Sequence, residues 1–297
     1  MRIIVLGSAA GGGFPQWNSA CPVGRRAWRS DPAARWRTQC SLAVSAGERW
    51  VLLNASPDIR QQILATPALH PKAEPRHSPI AAVVLTNGDI DHVAGLLTLR
   101  ESQPLDLYAT GAILDVLAAN PIFDALNPAY VARHRMALGE AIEVAGLTVL
   151  PFPVPGKVAL YMERGEPVIG AEGEETIGLD VRAGGRRFCF VPGCARVTDA
   201  LRERFAGADL VLFDGTLWSD DEMVRSGTGA KTGARMGHIS VSGPNGALAA
   251  FEGLAVGRKI FVHINNTNPL LLEDSPERAE ALRAGWEVAH DGMEMRL

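Results

Sequence analysis

The sequence predicts a mixed α/β fold with large sheets. A dozen short runs rich in β-branched residues recur along the 297 residues, and each ends in a turn rich in Gly, Asn, Asp or Pro. Helix-capping patterns fall between some of these runs. Because 47% of the residues are hydrophobic, the chain can bury a large core. We find no internal repeat and no linker-like segment, so we expect a single domain over residues 1–297.

Each predicted strand is one of these apolar runs, and turn residues lie between one run and the next. Their number implies that the sheets are large. In chain order we expect strands at Arg2–Leu6, Ser41–Ala46, Trp50–Leu53, Ala81–Leu85, Leu107–Ala109, Ala141–Val144, Thr148–Phe152, Gly178–Val181, Arg187–Val191, Leu210–Phe213, Lys259–Ile264 and Glu287–His290.

Helices are predicted from their capping residues. The segments Ser56–Asp58 and Ser275–Glu277 each place a serine before a proline and an acid, which is typical of a helix that starts at the proline. The second of these helices should end near Arg283, before a glycine that can take a left-handed conformation. We expect two more helices, at Asp199–Phe205 and at Gly95–Ser102.

Two long segments show no clear helix or strand pattern. The first long loop is Gly7–Arg37, rich in Gly, Pro, Trp and Arg, and the second long loop is Trp218–Gly246, rich in Gly, Ser and basic residues. Loops of this length in a compact domain are usually functional or mobile. We therefore expect both loops to cover a substrate.

The charge balance argues against nucleic acid as a partner, because 29 basic and 33 acidic residues are interspersed and give a net charge of -4. The first apolar run is too short for a signal peptide, and no stretch approaches the roughly 20 apolar residues of a membrane span. We expect a cytoplasmic protein with no membrane partner. Its four cysteines form no C-x-x-C pair, so they indicate neither a disulfide framework nor a zinc finger.

Three apolar strands end in residues that can bind a metal. Asp91 and His92 follow the run Ala81–Leu85, Asp214 follows a second run, and His263 ends a third. Taken singly, the aspartate could cap a helix and the histidines could be ordinary loop or core residues. Three such strand ends are harder to explain in this way, because a buried acid or imidazole must find a partner. The pattern favours a metal site at the ends of the strands.

The first of these strand ends resembles the metal-binding motif of the metallo-β-lactamase superfamily, His-x-His-x-Asp-His. Segment Thr86–Gly95 has Asn87 and Asp89 in place of the first two histidines. The resemblance implies the αββα sandwich of the metallo-β-lactamase fold, with two mixed sheets flanked by helices. The residues that correspond to the superfamily's motif and later ligands are Asp91, His92, Gly95, Asp214 and His263.

The departures from the superfamily pattern concern the first of its two metals. Besides the two leading histidines, a histidine after a middle strand is missing, since that region reads Pro151–Gly156. A loop that often supplies a bridging aspartate reads Pro192–Cys194. The resemblance therefore implies that one metal site is lost and the other is retained.

The retained ligands are Asp91, His92 and His263, with Asp89 as a candidate fourth ligand. Two imidazoles and a carboxylate with open positions fit Fe(II) in an oxygenase, where iron activates O2, and also fit a mononuclear zinc hydrolase. Asp214 could bind the metal directly or orient one of the two histidines. These alternatives stay open on the sequence.

Four longer segments resemble the pyrroloquinoline quinone synthesis protein B family, and the likeness extends over nearly the whole chain. The segments are Val5–Asn18, Asn54–Arg60, Asp214–Trp218 and His263–Pro269. The resemblance implies a hydroxylase that uses Fe(II) and O2 to oxidise the tyrosine ring of a small precursor derived from Glu and Tyr. It also implies that zinc can replace iron in purified protein. An alternative makes the protein a carrier that assists transport of the cofactor or its precursor.

The family resemblance also bears on partners and on a second metal. Other proteins of pyrroloquinoline quinone biosynthesis are expected partners, and a homodimer is left open. Family members often hold a structural zinc with three cysteines near Cys21, whereas only that cysteine is present in this chain. Because structural zinc takes four ligands, we expect no structural zinc at this loop.

The remaining candidate residues concern catalysis and substrate binding. His238, with Asp214, is the predicted catalytic residue, because a neutral imidazole can transfer protons near pH 7, although a surface histidine fits the sequence equally well. Lys231 and Arg235 are predicted to bind substrate carboxylates, unless they only keep the loop solvated. Asn265 is a further predicted substrate contact.

Overall fold

The computed structural model describes residues 1–297 and contains fourteen strands and nine α-helices. The strands are β1 (Arg2–Gly7), β2 (Ser41–Ser45), β3 (Trp50–Leu53), β4 (Ile80–Val84), β5 (Leu105–Thr110), β6 (Val131–Met136), β7 (Ile142–Val144), β8 (Leu147–Pro153), β9 (Ile177–Ala183), β10 (Arg186–Val191), β11 (Leu210–Asp214), β12 (Arg258–Val262), β13 (Trp286–Val288) and β14 (Glu294–Arg296). The helices are α1 (Pro22–Trp28), α2 (Ile59–Ala65), α3 (Ile90–Val93), α4 (Gly111–Ala118), α5 (Asp199–Phe205), α6 (Glu222–Arg225), α7 (Gly233–Met236), α8 (Ala247–Ala250) and α9 (Pro276–Arg283).

The strands form two mixed sheets of seven strands each. The first sheet has the order β14-β1-β2-β3-β4-β5-β6 and the second the order β13-β12-β11-β10-β9-β8-β7. Strands β3 to β6 run parallel to one another, as do β10 to β13, whereas the other pairs are antiparallel. Because parallel strands end at the same edge of a sheet, the loops after β11 and β12 lie side by side, and the packing of the two sheets brings the loop after β4 to the same edge of the sandwich.

Buried side chains form three layers. One layer lies between the two sheets, and one lies on the outer face of each sheet. In β1, Ile3 packs between the sheets and Ile4 packs on the outer face with α2 and α4. In β11, Leu212 packs between the sheets and Phe213 packs on the outer face with α5 and α9. Because successive side chains of a strand point to opposite faces, both sheets are covered on both sides. This arrangement confirms the predicted αββα sandwich.

An aromatic cluster on the outer face of the second sheet holds the strands that carry the site. Phe261 of β12 stacks on Trp286 of β13 with ring centroids 3.9 Å apart, and Phe213 of β11 packs against Phe251 at 5.0 Å. All four side chains are almost fully buried. Fully burying one such side chain contributes about 1.5–3 kcal/mol relative to leaving it exposed. The cluster therefore fixes the ends of β11 and β12 firmly.

The twelve predicted strands are confirmed, with ends shifted by at most two residues. Two strands, β6 and β14, were not predicted. Both lie at an edge of the first sheet, and most of their side chains are at least partly exposed. An edge strand needs no continuous apolar run, because its outward side chains remain in water. Pairing with β5 and β1, rather than local pattern, defines these two strands.

The predicted helices at Asp199–Phe205 and after Ser275 are confirmed, and Ser275 Oγ accepts a hydrogen bond from Arg278 N at 3.0 Å as an N-cap. The start predicted at Ser56 is wrong. The helix α2 begins at Ile59, and Ser56 Oγ instead donates to Gln62 Oε1 at 3.0 Å. None of the helices has both the length and the apolar character needed to cross a bilayer.

The predicted helix Gly95–Ser102 is also wrong. The chain forms α3 and then a single 3₁₀ turn at Ala94–Leu97. Gly95 N donates to Ala55 O at 2.9 Å, and a Cβ at Gly95 would lie 2.1 Å from Ser56 O. The backbone after β3 therefore holds this segment in place and prevents a longer helix. This contact also fixes the position of α3, which carries two of the predicted metal ligands.

Candidate metal centre

The predicted metal ligands meet at one edge of the sandwich. Asp91 and His92 lie on α3, which follows β4, and His263 directly follows β12. One donor atom from each side chain lies within 4.8 Å of the other two. Asp91 Oδ2 is 2.9 Å from His263 Nε2 and 3.9 Å from His92 Nε2. Metal–ligand bonds of about 2.1 Å place neighbouring ligand atoms roughly 3–4 Å apart. The three donors thus have the spacing of a metal site.

His92 supplies the strongest evidence that a metal fits. Asn87 Oδ1 lies 2.6 Å from His92 Nδ1, and because an amide oxygen only accepts, Nδ1 carries the proton and Nε2 has a free lone pair. This Nε2 is buried and has no hydrogen-bond partner within the protein. Leaving such an atom unpaired costs about 1–3 kcal/mol. Burial lowers the pKa of His92 to about 4, so the imidazole is neutral, as a metal ligand must be.

His263 is oriented from behind by Thr216. Thr216 Oγ1 donates to Asp214 Oδ1 at 2.6 Å and accepts from His263 Nδ1 at 2.8 Å, so the Nε2 of His263 faces Asp91. His263 also has a left-handed backbone with φ of 56°, a conformation that costs about 1–3 kcal/mol in a residue with a side chain. The hydrogen bond from Ile264 N to Ser8 O, 3.0 Å long, helps to hold it.

Asp91 and His263 stabilise each other's charged forms. Burial acts to raise the pKa of Asp91, but the charge of His92 and the hydrogen bond from His263 hold it well below its ordinary value. Burial acts to lower the pKa of His263, but the hydrogen bond and charge of Asp91 raise it above its ordinary value. Without a metal, the Asp91 carboxylate therefore favours a proton on His263. A bound metal would take the place of that proton.

Asp214 lies behind the metal centre and binds His238. Its Oδ2 accepts hydrogen bonds from His238 Nδ1 at 2.7 Å and from Cys194 N at 2.8 Å. Burial acts to raise the pKa of Asp214, but the charge and hydrogen bond of His238 hold it below its ordinary value. Asp214, His238 and His263 form a second donor group of metal-site size. However, both Asp214 oxygens already accept hydrogen bonds, so the aspartate is better suited to orient imidazoles.

A cavity of about 870 Å³ opens onto the metal centre, and both long loops line it. This volume is in the range of sites that enclose a small organic ligand. Its wall includes Asp91, His92, His263 and His238. The first long loop contributes Gln16, Asn18 and Arg25, and the second contributes Met223, Arg225 and Lys231.

Two of the three predicted substrate-binding residues line the cavity and one does not. Lys231 and Asn265 line the cavity. Arg235 does not line it, because its guanidinium forms an ion pair with Glu163 at 2.9 Å. The side-chain amide of Asn265 donates to Thr267 Oγ1 at 2.6 Å, which holds Asn265 in the cavity wall. Lys231 and Asn265 are thus placed to contact a ligand, whereas Arg235 is already paired.

Asp89 lines the same cavity but is not part of either three-residue donor group. Burial and the neighbouring Asp91 raise its pKa above the ordinary value, although Lys157 acts in the opposite direction. The interpretation of Asp89 as a fourth ligand therefore stays a prediction.

Three residues that serve the site were not singled out from the sequence. Thr216 and Lys157 were not predicted as site residues, and Asn87 was predicted only to stand in place of a motif histidine. Asn87 stands at a motif position and Thr216 stands two residues after a strand-end aspartate. Both positions are therefore local sequence signals of a residue that supports the metal centre. Lys157 carries no such signal, because its place in the cavity wall depends on the fold.

Comparison with known proteins agrees with the fold. A model of the Beta-lactamase superfamily domain matches residues 49–264. Coenzyme PQQ synthesis protein B from Methylobacterium nodulans is 60% identical, with both chains covered completely. The crystal structure of Zn(2+)-bound PqqB from Methylobacterium extorquens is 56% identical, with a TM-score of 0.98 and both chains covered completely. A diphosphatase of the PhnP family is 25% identical, with a TM-score of 0.71 and 99% and 97% of the two chains covered.

Proposed function

Because this chain belongs to the coenzyme PQQ synthesis protein B family of the β-lactamase superfamily, we propose that it is an iron- and O2-dependent hydroxylase of PQQ biosynthesis. Its substrate in this proposal is a small precursor derived from a glutamate and a tyrosine, and the tyrosine ring gains the oxygen. Other proteins of the biosynthesis would supply this precursor and take up the product.

The observation that supports this proposal is the composition of the donor group. It contains two imidazoles and one carboxylate, from His92, His263 and Asp91. The two leading histidines of the superfamily motif, which bind its other metal, are replaced by Asn87 and Asp89 in this chain. Asn87 is hydrogen-bonded to His92, and Asp89 lies outside the donor group. Two histidines and one carboxylate with open positions are typical of non-haem Fe(II) oxygenases.

Asp91 Oδ2 and the Nε2 atoms of His92 and His263 would hold the metal. Bound there, Fe(II) supplies the ability to bind and activate O2 beside an organic substrate. The overall reaction places one oxygen atom in a ring C–H bond and converts the other to water. It consumes two protons and two electrons, which an external reductant must supply.

His238 is the residue to which we assign proton transfer. In the neutral imidazole, the hydrogen bond that Nδ1 donates to Asp214 Oδ2 leaves the Nε2 of His238 as the proton acceptor in the cavity wall. A tyrosine phenol placed against this nitrogen can pass its proton to the imidazole, and the buried Asp214 carboxylate stabilises the imidazolium that forms. Loss of the phenol proton makes the ring richer in electrons and more reactive toward an oxidant.

The test is oxygen incorporation. Protein loaded with Fe(II) without oxygen is mixed with the Glu-Tyr dipeptide and a reductant, exposed to O2 and analysed by mass spectrometry for an added oxygen atom. We expect His92→Ala to abolish both iron binding and product. The matched control is His134→Ala on β6, since His134 pairs with Asp106 at 2.8 Å on the partly exposed sheet edge. Undiminished iron binding and O2 uptake in His92→Ala would contradict the proposal.

A mononuclear zinc hydrolase is the second candidate, and the Zn(2+)-bound PqqB structure is the observation that favours it. Zinc at the same three ligands would lower the pKa of a bound water. This candidate would be supported if zinc-loaded protein cleaves esters or phosphodiesters and iron-loaded protein incorporates no oxygen. Tight binding of the dipeptide or of PQQ by a variant that lacks all three ligands, with no product, would instead support a carrier.

A further inference from the structure

The cavity beside the metal centre is lined by more cations than acids. Arg25, Lys157, Arg225 and Lys231 line it, and the acids in its wall are Asp89 and Asp91. A divalent metal would neutralise Asp91 and increase the excess of positive charge. The cavity is therefore suited to a ligand that carries more than one negative charge.

Two of the four cations are already paired within the protein. Lys157 Nζ lies 3.1 Å from Glu163 Oε1, and both side chains are largely buried. Arg225 Nε lies 3.1 Å from Asp221 Oδ1, and its Nη2 donates to Ser219 Oγ at 2.6 Å. By contrast, the side chains of Arg25 and Lys231 form neither an ion pair nor a hydrogen bond within the protein. These two side chains have their donors free for a ligand.

Each unpaired cation is carried by a different loop, and each loop is anchored close to the cation. Arg25 lies on α1, whose N-terminus is capped by Cys21 Sγ, which accepts from Gly24 N at 3.2 Å. The same sulfur lies 3.5 Å from Asn266 O, so α1 is tied to the segment that follows His263. The helix therefore holds Arg25 at a defined place relative to the metal centre.

Lys231 is anchored in a similar way in the second long loop. It precedes Thr232, whose Oγ1 caps α7 by accepting from Arg235 N at 3.2 Å. Gly233 N donates to Asp220 O at 2.9 Å, which closes the base of the loop. The backbone on one side of Lys231 is thus fixed, while its ammonium group faces no acidic partner.

We propose that Arg25 and Lys231 are two separate anchors, each for one carboxylate of the ligand in this cavity. The proposal rests on the proposed function, because a precursor that contains glutamate and tyrosine carries two carboxylates. Arg25 can bind one carboxylate with two parallel hydrogen bonds, and Lys231 can bind the other as a point charge. The two anchors lie on different loops and fix the ligand at two points, which leaves the aromatic ring free to approach the metal ligands and His238.

A binding experiment tests the anchors without turnover. Zinc-loaded protein is titrated, without O2, with Glu-Tyr, with Gln-Tyr and with Glu-Tyr amide, and each dissociation constant is measured by calorimetry. Gln-Tyr lacks the side-chain carboxylate and Glu-Tyr amide lacks the terminal one. Because hydrogen bonds to charged groups are stronger than those between neutral groups, we expect Arg25→Ala and Lys231→Ala each to weaken Glu-Tyr binding by roughly tenfold or more.

The combination of variants and ligands assigns the contacts. We expect one variant to bind Gln-Tyr as well as Glu-Tyr, and the other to bind Glu-Tyr amide as well as Glu-Tyr, since each has lost the anchor for one carboxylate. Arg29→Ala is the control, with an expected change below about threefold, because this exposed arginine directly follows α1 but does not line the cavity. Circular dichroism and Tm check that the variants remain folded.

The proposal is overturned if wild-type protein does not bind Glu-Tyr or if both variants bind it like wild type. It is also overturned if a single variant loses the preference for Glu-Tyr over both Gln-Tyr and Glu-Tyr amide. Failure of the proposed function gives a different result, in which iron-loaded protein binds Glu-Tyr through the two anchors but incorporates no oxygen.

Discussion

Replacing Thr216 with valine tests whether the hydrogen bonds behind the metal centre set its affinity for metal. The Thr216 hydroxyl lies 2.8 Å from His263 Nδ1 and 2.6 Å from Asp214 Oδ1, and the residue is buried. Valine has nearly the same shape but no hydroxyl. The variant therefore removes the acceptor that fixes the His263 ring and leaves the packing unchanged.

The expected magnitude follows from what each partner loses. Asp214 Oδ1 keeps a donor, because Thr216 N also donates to it at 3.0 Å, whereas His263 Nδ1 loses its side-chain acceptor. One buried group without a partner lowers the free energy of unfolding by about 1–3 kcal/mol. Loss of the hydrogen bond that orients a metal-binding histidine weakens metal binding by roughly 10–100-fold.

The assay is competition for the metal with a chromogenic chelator, together with thermal unfolding of the metal-free protein. Thr148→Val is the matched control, because Thr148 Oγ1 bonds Glu143 at 2.5 Å on a partly exposed hairpin away from the site. We expect Thr148→Val to leave metal affinity unchanged. If Thr216→Val binds metal as tightly as wild type, the argument that Thr216 orients His263 is refuted.

Three further predictions concern the supports of the site. Asn87→Ala should weaken metal binding roughly tenfold in the same chelator assay, because His92 Nδ1 loses its acceptor, and unchanged affinity would contradict this. Gly95→Ala should lower the free energy of unfolding in urea by about 1–3 kcal/mol because its Cβ would meet the backbone, whereas Gly47→Ala, with open space, should have little effect. Burial raises the pKa of Glu222 from 4.5 to about 7, so native protein binds the extra proton between these values and its stability falls as pH rises through this window, by up to about 3 kcal/mol. Glu222→Gln should remove that slope in urea unfolding at pH 5 to 8, and an unchanged slope would assign it to another group.

The order of the strands along the chain could be predicted because each is encoded locally. A run such as Leu210–Asp214 is apolar and is followed at once by turn residues, which is sufficient to place a buried strand. The edge strands β6 and β14 lack this pattern, and only their pairing with β5 and β1 makes them strands. The helix predicted at Gly95–Ser102 failed for the opposite reason, since a contact with the loop after β3 overrides the local pattern.

The sequence by itself determined which side chains stand at the strand ends, and therefore that Asp91, His92 and His263 are the candidate metal ligands. Only the tertiary structure decided the contacts of Asp214, which the sequence left open between binding the metal and orienting a histidine. Its contacts to His238 and, through Thr216, to His263 join residues that lie far apart in the chain. The bond between His263 and Asp91 joins residues 172 positions apart. Local patterns cannot encode such contacts, because the packing of the two sheets brings these strand ends to one edge of the sandwich.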